Sequence, residues 1–466
     1  MTTSLLWFRR DLRLDDHPAL LAAATGPDGA HRDVLAVFLA DDRLLAGSGA
    51  PRRNYLAGCL EALSASMGGR LLIARGRAVE VLPQLARAIG ADSVHVSADY
   101  SPYGHARDER VAAALQAGGV ELVATGSPYA VAPGRVRKSD GTSYSVFTPF
   151  FRGWLAHGWR KPAGPGGGVT FLDPTSPEIA AAAPAYPAAK LSAKLPAGTE
   201  LPEPGEAPAR RLFAEFADTA LHDYDDERNR PDHAGTSHMS VYLKWGCIHP
   251  RTMLDALAKA TTDGAEAYRR ELGFREFYAD LLFQHPKALT DSGDPAVEGL
   301  EYDTGAVADE HLAAWRAGRT GYPYIDAGLR QLLAEGWIHN RARMAVASFL
   351  IKDLHLPWQL GAAHFLEHLV DGDVASNTYG WQWVAGAGAQ AAPYYRIFNP
   401  VGQGEKFDPT GDYVRKYVSE LAGVAGKAVH RPWELADGVP DGYPGPIVDH
   451  ATERVEALRR WEQRPR

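Results

Sequence analysis

Cysteine is scarce: the 466-residue chain has two, Cys59 and Cys247. Two thiols cannot build a disulfide framework or a four-thiolate metal cluster, so each is expected to be a small buried residue in a reducing compartment. Long apolar runs are missing too. None reaches the roughly 18 residues that a membrane-spanning helix needs, although 45% of the chain is hydrophobic, enough for two globular domains. The opening Met1-Thr-Thr-Ser-Leu-Leu-Trp-Phe-Arg-Arg turns charged before a secretory apolar segment can form, which points to the first strand of a mature cytoplasmic domain. No Gly-x-Gly-x-x-Gly follows that strand, which argues against ordinary dinucleotide binding there. Positive charge is also short, the formal net charge being −8. Phosphate contacts supply much of the affinity for nucleic acid, so such a partner would require a locally basic face and would bind with strong salt sensitivity.

Short apolar runs at Ser4–Phe8, Val34–Leu39, Arg70–Ala74, Ser93–Val96 and Glu121–Ala124 read as strands, with helices at Arg52–Met67, Ala78–Ile89 and His105–Ala117 between them. Strands separated by helices pair in parallel, so residues 1–130 are expected to form a doubly wound α/β domain around a five-stranded parallel sheet. From Lys161 to Ala209 the chain is rich in Pro, Gly and Ala, with only Ile179–Ala183 suggesting a turn of helix. Residues 131–209 are therefore expected to be a long interdomain linker over the surface. Beyond about Arg210 the pattern is helical almost to the end, which makes residues 210–466 an all-α domain.

Several blocks carry chemistry. Tyr224-Asp-Asp-Glu-Arg-Asn-Arg-Pro precedes Gly235-Thr-Ser-His-Met-Ser, where a glycine and two hydroxyl residues ahead of a helix offer free donors to an anion such as a pyrophosphate. The plainer alternative is an N-cap. In Asp371-Gly-Asp-Val-Ala-Ser-Asn, two carboxylates flank a glycine, either as a solvated turn or as metal ligands. No third and fourth oxygen ligand follows at calcium-loop spacing, so no metal site is expected. In Glu271-Leu-Gly-Phe-Arg-Glu-Phe-Tyr, the positions of Glu271, Phe274 and Tyr278 share one helix face, and Asn340 and Met344 stand one turn apart. The alternative for the first of these helices is core packing with a solvated Arg275–Glu276 face. Trp358, Trp381 and Trp383, like Trp154 and Trp159, could equally be core tryptophans.

With Trp7-Phe-Arg-Arg-Asp-Leu-Arg-Leu-Asp-Asp-His-Pro, these blocks resemble the cryptochrome/photolyase family over nearly the whole chain, and are most similar to its class I cyclobutane pyrimidine dimer members. The resemblance implies bound FAD in the helical domain. It gives the phosphates to Thr236, Ser237, His238, Met239 and Ser240, with Tyr224 and Tyr268 against the cofactor. It gives the flavin ring and ribityl chain to the loop Asp371, Gly372 and Asp373, pairs Arg343 with Asp371, and faces Asn377 to the reactive nitrogen. Asparagine there is the photolyase pattern, since animal cryptochromes typically have cysteine and plant cryptochromes aspartate. The resemblance implies an electron-hopping chain through Trp381 and Trp358 whose third tryptophan falls at Tyr302, so that tyrosine, or Trp315, would serve as terminal donor. It implies that Glu271, Phe274, Arg275, Tyr278, Asn340, Arg341, Met344 and Trp383 contact UV-damaged DNA and a flipped-out lesion. Phe274 stands where the family usually has tryptophan. The pair His339-Asn340 matches enzymes for cyclobutane dimers, because those for the (6-4) lesion carry two histidines.

The implied activity is light-driven repair by electron transfer from reduced FAD to the dimer, by a monomer; a cryptochrome-like photoreceptor is the alternative, disfavoured by Asn377, Glu271 and the short end after Gln403-Gly-Glu-Lys-Phe-Asp. Residues 1–130 would carry an antenna pigment. Arg52, Asp99 and Lys244 match positions of deazaflavin-binding members, and the Asn-Glu pair typical of folate binders is absent near Tyr103-Gly104. An 8-hydroxy-5-deazaflavin is thus expected over methenyltetrahydrofolate; interdomain ion pairs are the plainer alternative. Arg341, Arg343, Arg396, Lys406, Arg415 and Lys416 are expected to supply the basic ring that the net charge demands.

Overall fold

The computed structural model describes residues 3–26, 29–387 and 395–464. Strands β1 (Thr3–Phe8), β2 (Asp33–Ala40), β3 (Leu71–Arg75), β4 (Ser93–Val96) and β5 (Glu121–Ala124) form one parallel sheet in the order β3-β2-β1-β4-β5. β1 runs beside β2 from Thr3↔Asp33 to Phe8↔Phe38, and meets β4 at Leu5↔Val94 and Leu6↔His95. The central strands are buried on both faces because helices cover both, while the edge strand β5 is only partly covered. Leu5, Trp7, Leu35 and Val37 pack with the helix Ala78–Ile89 on one side. Leu6, Phe8, Ala36 and Phe38 pack with the helices Pro18–Ala24 and Ala50–Ser66 on the other. The strand order reverses at β1, so the loops after β1 and β4 open a crevice at the carboxyl edge of the sheet, the usual ligand position in doubly wound folds.

The segment 131–209 does more than cross the surface. Val34 donates to Thr170 (2.9 Å) and accepts from Leu172 (3.0 Å), so linker backbone completes the pairing at the start of β2. Ile179, in the short helix Pro177–Ala182, is buried in the core of the Ala78–Ile89 side. The helix Phe147–His157, not singled out from the sequence although its apolar residues recur at i, i+3, i+4 and i+7, buries Phe147, Phe150, Phe151 and Trp154. The first two of these lie in ring contact with Phe277 of the helix Asp263–Gln284.

The expected α/β plus all-α architecture is present, but its apolar cores do not divide at the linker. One core starts on the sheet and continues into the helical half through Phe147, Tyr242, Trp245, Tyr268 and Phe277. A second, holding Trp315, Tyr324, Phe349, Trp358 and Trp381, belongs to the helical half alone. Cys59 and Cys247 are both buried, with Sγ atoms 3.7 Å apart across the contact between the helix Ala50–Ser66 and the turn after the helix Met239–Trp245. Among the described residues no helix is long and apolar enough to cross a membrane.

The two halves are in close backbone contact at Gly246. It ends the helix Met239–Trp245 in the left-handed region at φ 67°. A Cβ there would lie 2.1 Å from the Arg10 carbonyl oxygen and 2.6 Å from Asp11 Cα. Leu12 N–H donates to the Trp245 carbonyl (3.0 Å) and Arg13 Nη1 to the Gly246 carbonyl (3.0 Å), so the loop after β1 lies directly on this turn. Gly246→Ala combines a left-handed penalty with a backbone clash and should lower the unfolding free energy by about 2–4 kcal/mol. Denaturant titration checks this, and a loss below about 0.5 kcal/mol would refute the close approach.

Candidate active site

A cavity of about 580 Å³ lies on the seam between the two apolar cores. Three capped helices and one turn build its walls. Thr262 caps the helix Asp263–Gln284 by accepting from Ala265 N–H (3.2 Å), and that helix presents Tyr268, Glu271, Leu272, Phe274, Arg275 and Tyr278. His339 Nδ1 accepts from Arg341 N–H (3.2 Å) and caps the helix Asn340–Lys352, which presents Asn340, Arg341, Arg343 and Met344. Asp373 Oδ1 accepts from Ala375 and Ser376 N–H (3.1 Å each), starting the helix Val374–Ala385 with Asn377, Trp381 and Val384 on its cavity face at i, i+4 and i+7. The turn Thr236–Ser240 closes the fourth side.

In that turn His238 adopts a left-handed conformation (φ 53°) with its ring 4.0 Å from the Trp337 ring. A non-glycine residue there costs on the order of 1 kcal/mol or more, and such strain concentrates at functional sites. Ser237 Oγ bonds the Tyr268 hydroxyl (2.8 Å) and accepts from Met239 N–H (3.3 Å), while Ser240 Oγ accepts from Trp337 Nε1 (3.3 Å). Hydroxyls and a helix start therefore gather where an anion would sit.

Charged groups line the opposite wall. Arg343 Nη2 pairs with Asp371 Oδ2 at 2.8 Å, while its Nε donates to the Ile338 carbonyl (2.7 Å), so the cation is fixed from two sides. Asp371 Oδ1 is buried without a hydrogen-bond partner, an acceptor ready for a ligand N–H. Arg228 pairs with Glu271 (2.6 Å), and Arg341 Nε donates to Asn229 Oδ1 (2.9 Å). Burial pushes the Asp373 carboxyl up, but Arg10 at 2.7 Å and Lys244 outweigh it and hold it well below the usual carboxylate range. Burial, with the charge of Arg10, pulls Lys244 down to about 7. Arg228, Lys244, Arg275, Arg341 and Arg343 face three carboxylates, Glu271, Asp371 and Asp373, so the lining is positive in an acidic chain.

Aromatic rings complete it. Phe274 stacks on Phe147 (centroids 3.4 Å, 9°) and Tyr278 on Tyr379 (5.9 Å, 9°), which locks both on the lining. Trp381 is buried against Phe365 (5.0 Å) and Trp315 (6.2 Å), in space that Gly361 vacates: a Cβ there would meet the Trp381 ring at 2.0 Å.

Most residues singled out from the sequence meet at this cavity: Tyr224, Thr236, Ser237, His238, Met239, Ser240, Tyr268, Arg343, Asp371, Asp373 and Asn377 of the cofactor set, and Glu271, Phe274, Arg275, Tyr278, Asn340, Arg341, Met344 and Trp383 of the DNA set. Five do not line it. Gly372 sits behind the loop, where a Cβ would crowd the Leu369 carbonyl (3.2 Å). Trp358 is buried with its Nε1 unpartnered, and Tyr302 donates to the Val297 carbonyl (3.3 Å). Arg52 lies behind the cavity loop, its guanidinium beside Gly372 and facing the charge of Asp371, whereas Asp99 sits among Arg9, Arg10 and Arg107 on the sheet side; both act on Lys244. Arg107 pairs with Asp99 there (3.2 Å). One alternative and one expectation are corrected. Glu276 is not solvated: it is buried, accepting from Trp154 Nε1 (2.5 Å), Val131 N–H (3.0 Å) and Ala130 N–H, because the helix Phe147–His157 covers that face. The basic lining draws on Arg228, Lys244 and Arg275 in addition to Arg341 and Arg343; Lys406, Arg415 and Lys416 lie away from it, and Arg396 lines a small adjacent cavity. The ion pairs Arg228–Glu271 and Arg10–Asp373 were not foreseen, since nothing in the spacing links their partners.

Two family models match: DNA photolyase over residues 4–166, and the FAD binding domain of DNA photolyase over residues 268–463. The deoxyribodipyrimidine photo-lyase of Streptomyces griseus is 39% identical, over 98% of this chain and 99% of its own. The chain belongs to the DNA photolyase family. Solved photolyases share its fold. A class III photolyase from Agrobacterium tumefaciens superposes with a TM-score of 0.87 at 36% identity, covering 99% of this chain and 97% of its own. A Sulfolobus tokodaii photolyase, described with two FAD molecules, gives 0.83 at 26% identity over 99% and 100% of the two chains. A Synechocystis cryptochrome gives 0.88 at 26% identity over 98% and 99%.

The cap of the Asn340 helix should make this photolyase acid-sensitive. Burial, with the charges of His238 and Arg341, pulls His339 down to about 3, and its Nε2 is buried without a partner. A depressed histidine leaves stability intact above its unfolded value near about 6.5 and removes it as pH falls from there towards the folded value. His339→Asn keeps a capping side chain and should flatten the stability profile of the apoprotein between about pH 6.5 and 4.5 by up to about 1.4 kcal/mol per pH unit. Parallel profiles for the two proteins would show that the imidazole does not stay neutral.

Proposed function

We propose that this photolyase splits cyclobutane pyrimidine dimers in UV-damaged DNA under blue light. One observation carries the reading: the residues matched to the cofactor and those matched to the lesion open into the same cavity. The residues fit FAD. The hydroxyls and backbone of Thr236 to Ser240 hold the pyrophosphate, and Asp371, fixed by Arg343, offers its free Oδ1 to the flavin. Asn377 is oriented by its Nδ2–H bond to the Ala362 carbonyl (3.1 Å). When bound, FAD supplies the light-absorbing electron donor.

A flipped-out dimer needs apolar walls, a few polar groups and a positive path for the backbone. Phe274, Met344 and Trp383 supply the walls, Asn340 hydrogen-bonds the bases, and Arg275 and Arg341 meet phosphate. Glu271, held by Arg228, faces the same space and stabilises charge arriving on the pyrimidines. His339-Asn340 in place of a histidine pair favours the cyclobutane dimer over the (6-4) lesion. Trp381 relays electrons that keep the cofactor reduced, with Trp358 and then Tyr302 or Trp315 behind it; of these, Trp315 is the one in ring contact with Trp381. Residues 1–130 form the antenna domain, 131–209 the linker and 210–466 the catalytic domain, and the protein acts as a cytoplasmic monomer. An 8-hydroxy-5-deazaflavin at Arg52, Asp99 and Lys244, beside the crevice of the sheet, serves as antenna.

FAD-loaded, reduced protein should restore thymine dimers in an oligonucleotide under blue light and not in the dark. Glu271→Ala should slow that repair by about 10-fold or more with flavin content unchanged. A flavin-loaded protein inert towards dimers in the light would favour the photoreceptor that shares this scaffold. Asp99→Asn should weaken deazaflavin binding by about 10-fold, followed by absorbance titration, without loss of FAD. Equal affinity in the variant would move the antenna elsewhere.

A further inference from the structure

The helix Trp358–His368 turns Phe365 towards the cavity, but its last turns carry a second polar group outside it. His364, Glu367 and His368 stand at i, i+3 and i+4, the spacing that puts side chains of adjacent turns side by side. One nitrogen of each imidazole and one carboxylate oxygen of Glu367 all lie within 4.8 Å of one another. The two rings are 4.5 Å apart, centroid to centroid.

The group is left unsatisfied from within. His364 is only 5% exposed, and its Nε2 is buried without a hydrogen-bond partner. A buried, unpaired ring nitrogen costs free energy unless something binds the histidine. Glu367 is an exposed carboxylate in the final turn of its helix, where the helix dipole disfavours an anion and favours a cation beside it.

We propose that His364, Glu367 and His368 bind one divalent transition-metal ion of the Zn²⁺ class, with water completing the coordination. Two nitrogens and one oxygen suit zinc or copper and not magnesium or calcium, which take oxygen ligands. Tetrahedral zinc with bonds near about 2.1 Å needs donors about 3.4 Å apart. The set therefore needs to close by at most about 1.4 Å, within reach of a side-chain rotation at Glu367 and His368, which are not fully buried. The site is distinct from the cavity yet linked to it by rings: His364 is 5.3 Å from Trp315, which is 6.2 Å from Trp381.

The test uses the full chain, stripped with a chelator and titrated calorimetrically with Zn²⁺ in excess Mg²⁺. The expected result is one Zn²⁺ per chain with Kd at or below about 10 μM, weakened at least about 10-fold in both His368→Ala and Glu367→Gln. Both replaced side chains reach solvent, and the metal-free variants should keep the melting temperature and FAD content of the parent. With Cu²⁺ as probe, electron paramagnetic resonance should report two nitrogen ligands. Binding weaker than about 10 μM, or an affinity unchanged in either variant, overturns the proposal.

Discussion

The fold and the site meet in one ion pair. Asp373 uses one carboxylate oxygen to start the helix that carries Asn377 and Trp381, and gives the other to Arg10, from the loop after β1, at 2.7 Å. Removing one partner of a buried pair strands the other and typically costs about 3–5 kcal/mol, less where water reaches it. The edge of the sheet therefore sets the position of a cavity wall in the helical half. Gly246 allows this, because without its missing Cβ the turn could not lie against the Arg10 and Asp11 backbone.

Net charge misleads about a nucleic-acid partner in this molecule. The chain is acidic overall, yet four arginines and the partly charged Lys244 line the cavity against three carboxylates. Several of those cations are tied in place: Arg343 to Asp371, Arg228 to Glu271, Arg341 to Asn229, and Arg275 to the carbonyls of Pro128 and Leu243. Fixed, partly dehydrated charge acts over a short range and loses little to reorganisation, which suits a site that binds one anionic cofactor and one anionic strand.

Much of this was legible in the sequence. The five strands showed as short apolar runs and lie within a residue or two of their expected positions, because most of their residues are buried, the edge strand β5 excepted. The cavity lining was legible through motif resemblance, where helical spacing also placed Glu271, Phe274 and Tyr278 on one face. What escaped depends on contacts between distant segments. The helix Phe147–His157 packs its buried rings on Phe274 and Phe277, a contact between segments distant in the chain, so nothing in the sequence marked Glu276 beneath it as covered. Arg10–Asp373 joins residues far apart in the chain, and His364, Glu367 and His368 carry no sequence motif; only the fold shows that the His364 Nε2 is buried without a partner.

The central claim is that the seam between the two apolar cores is built to hold one flavin. The absorption spectrum of the purified full chain, with quantification of the flavin released on denaturation, tests it most directly. The account predicts one FAD per chain, bound on isolation or recovered on reconstitution. A colourless protein that refuses FAD when it is supplied would contradict it.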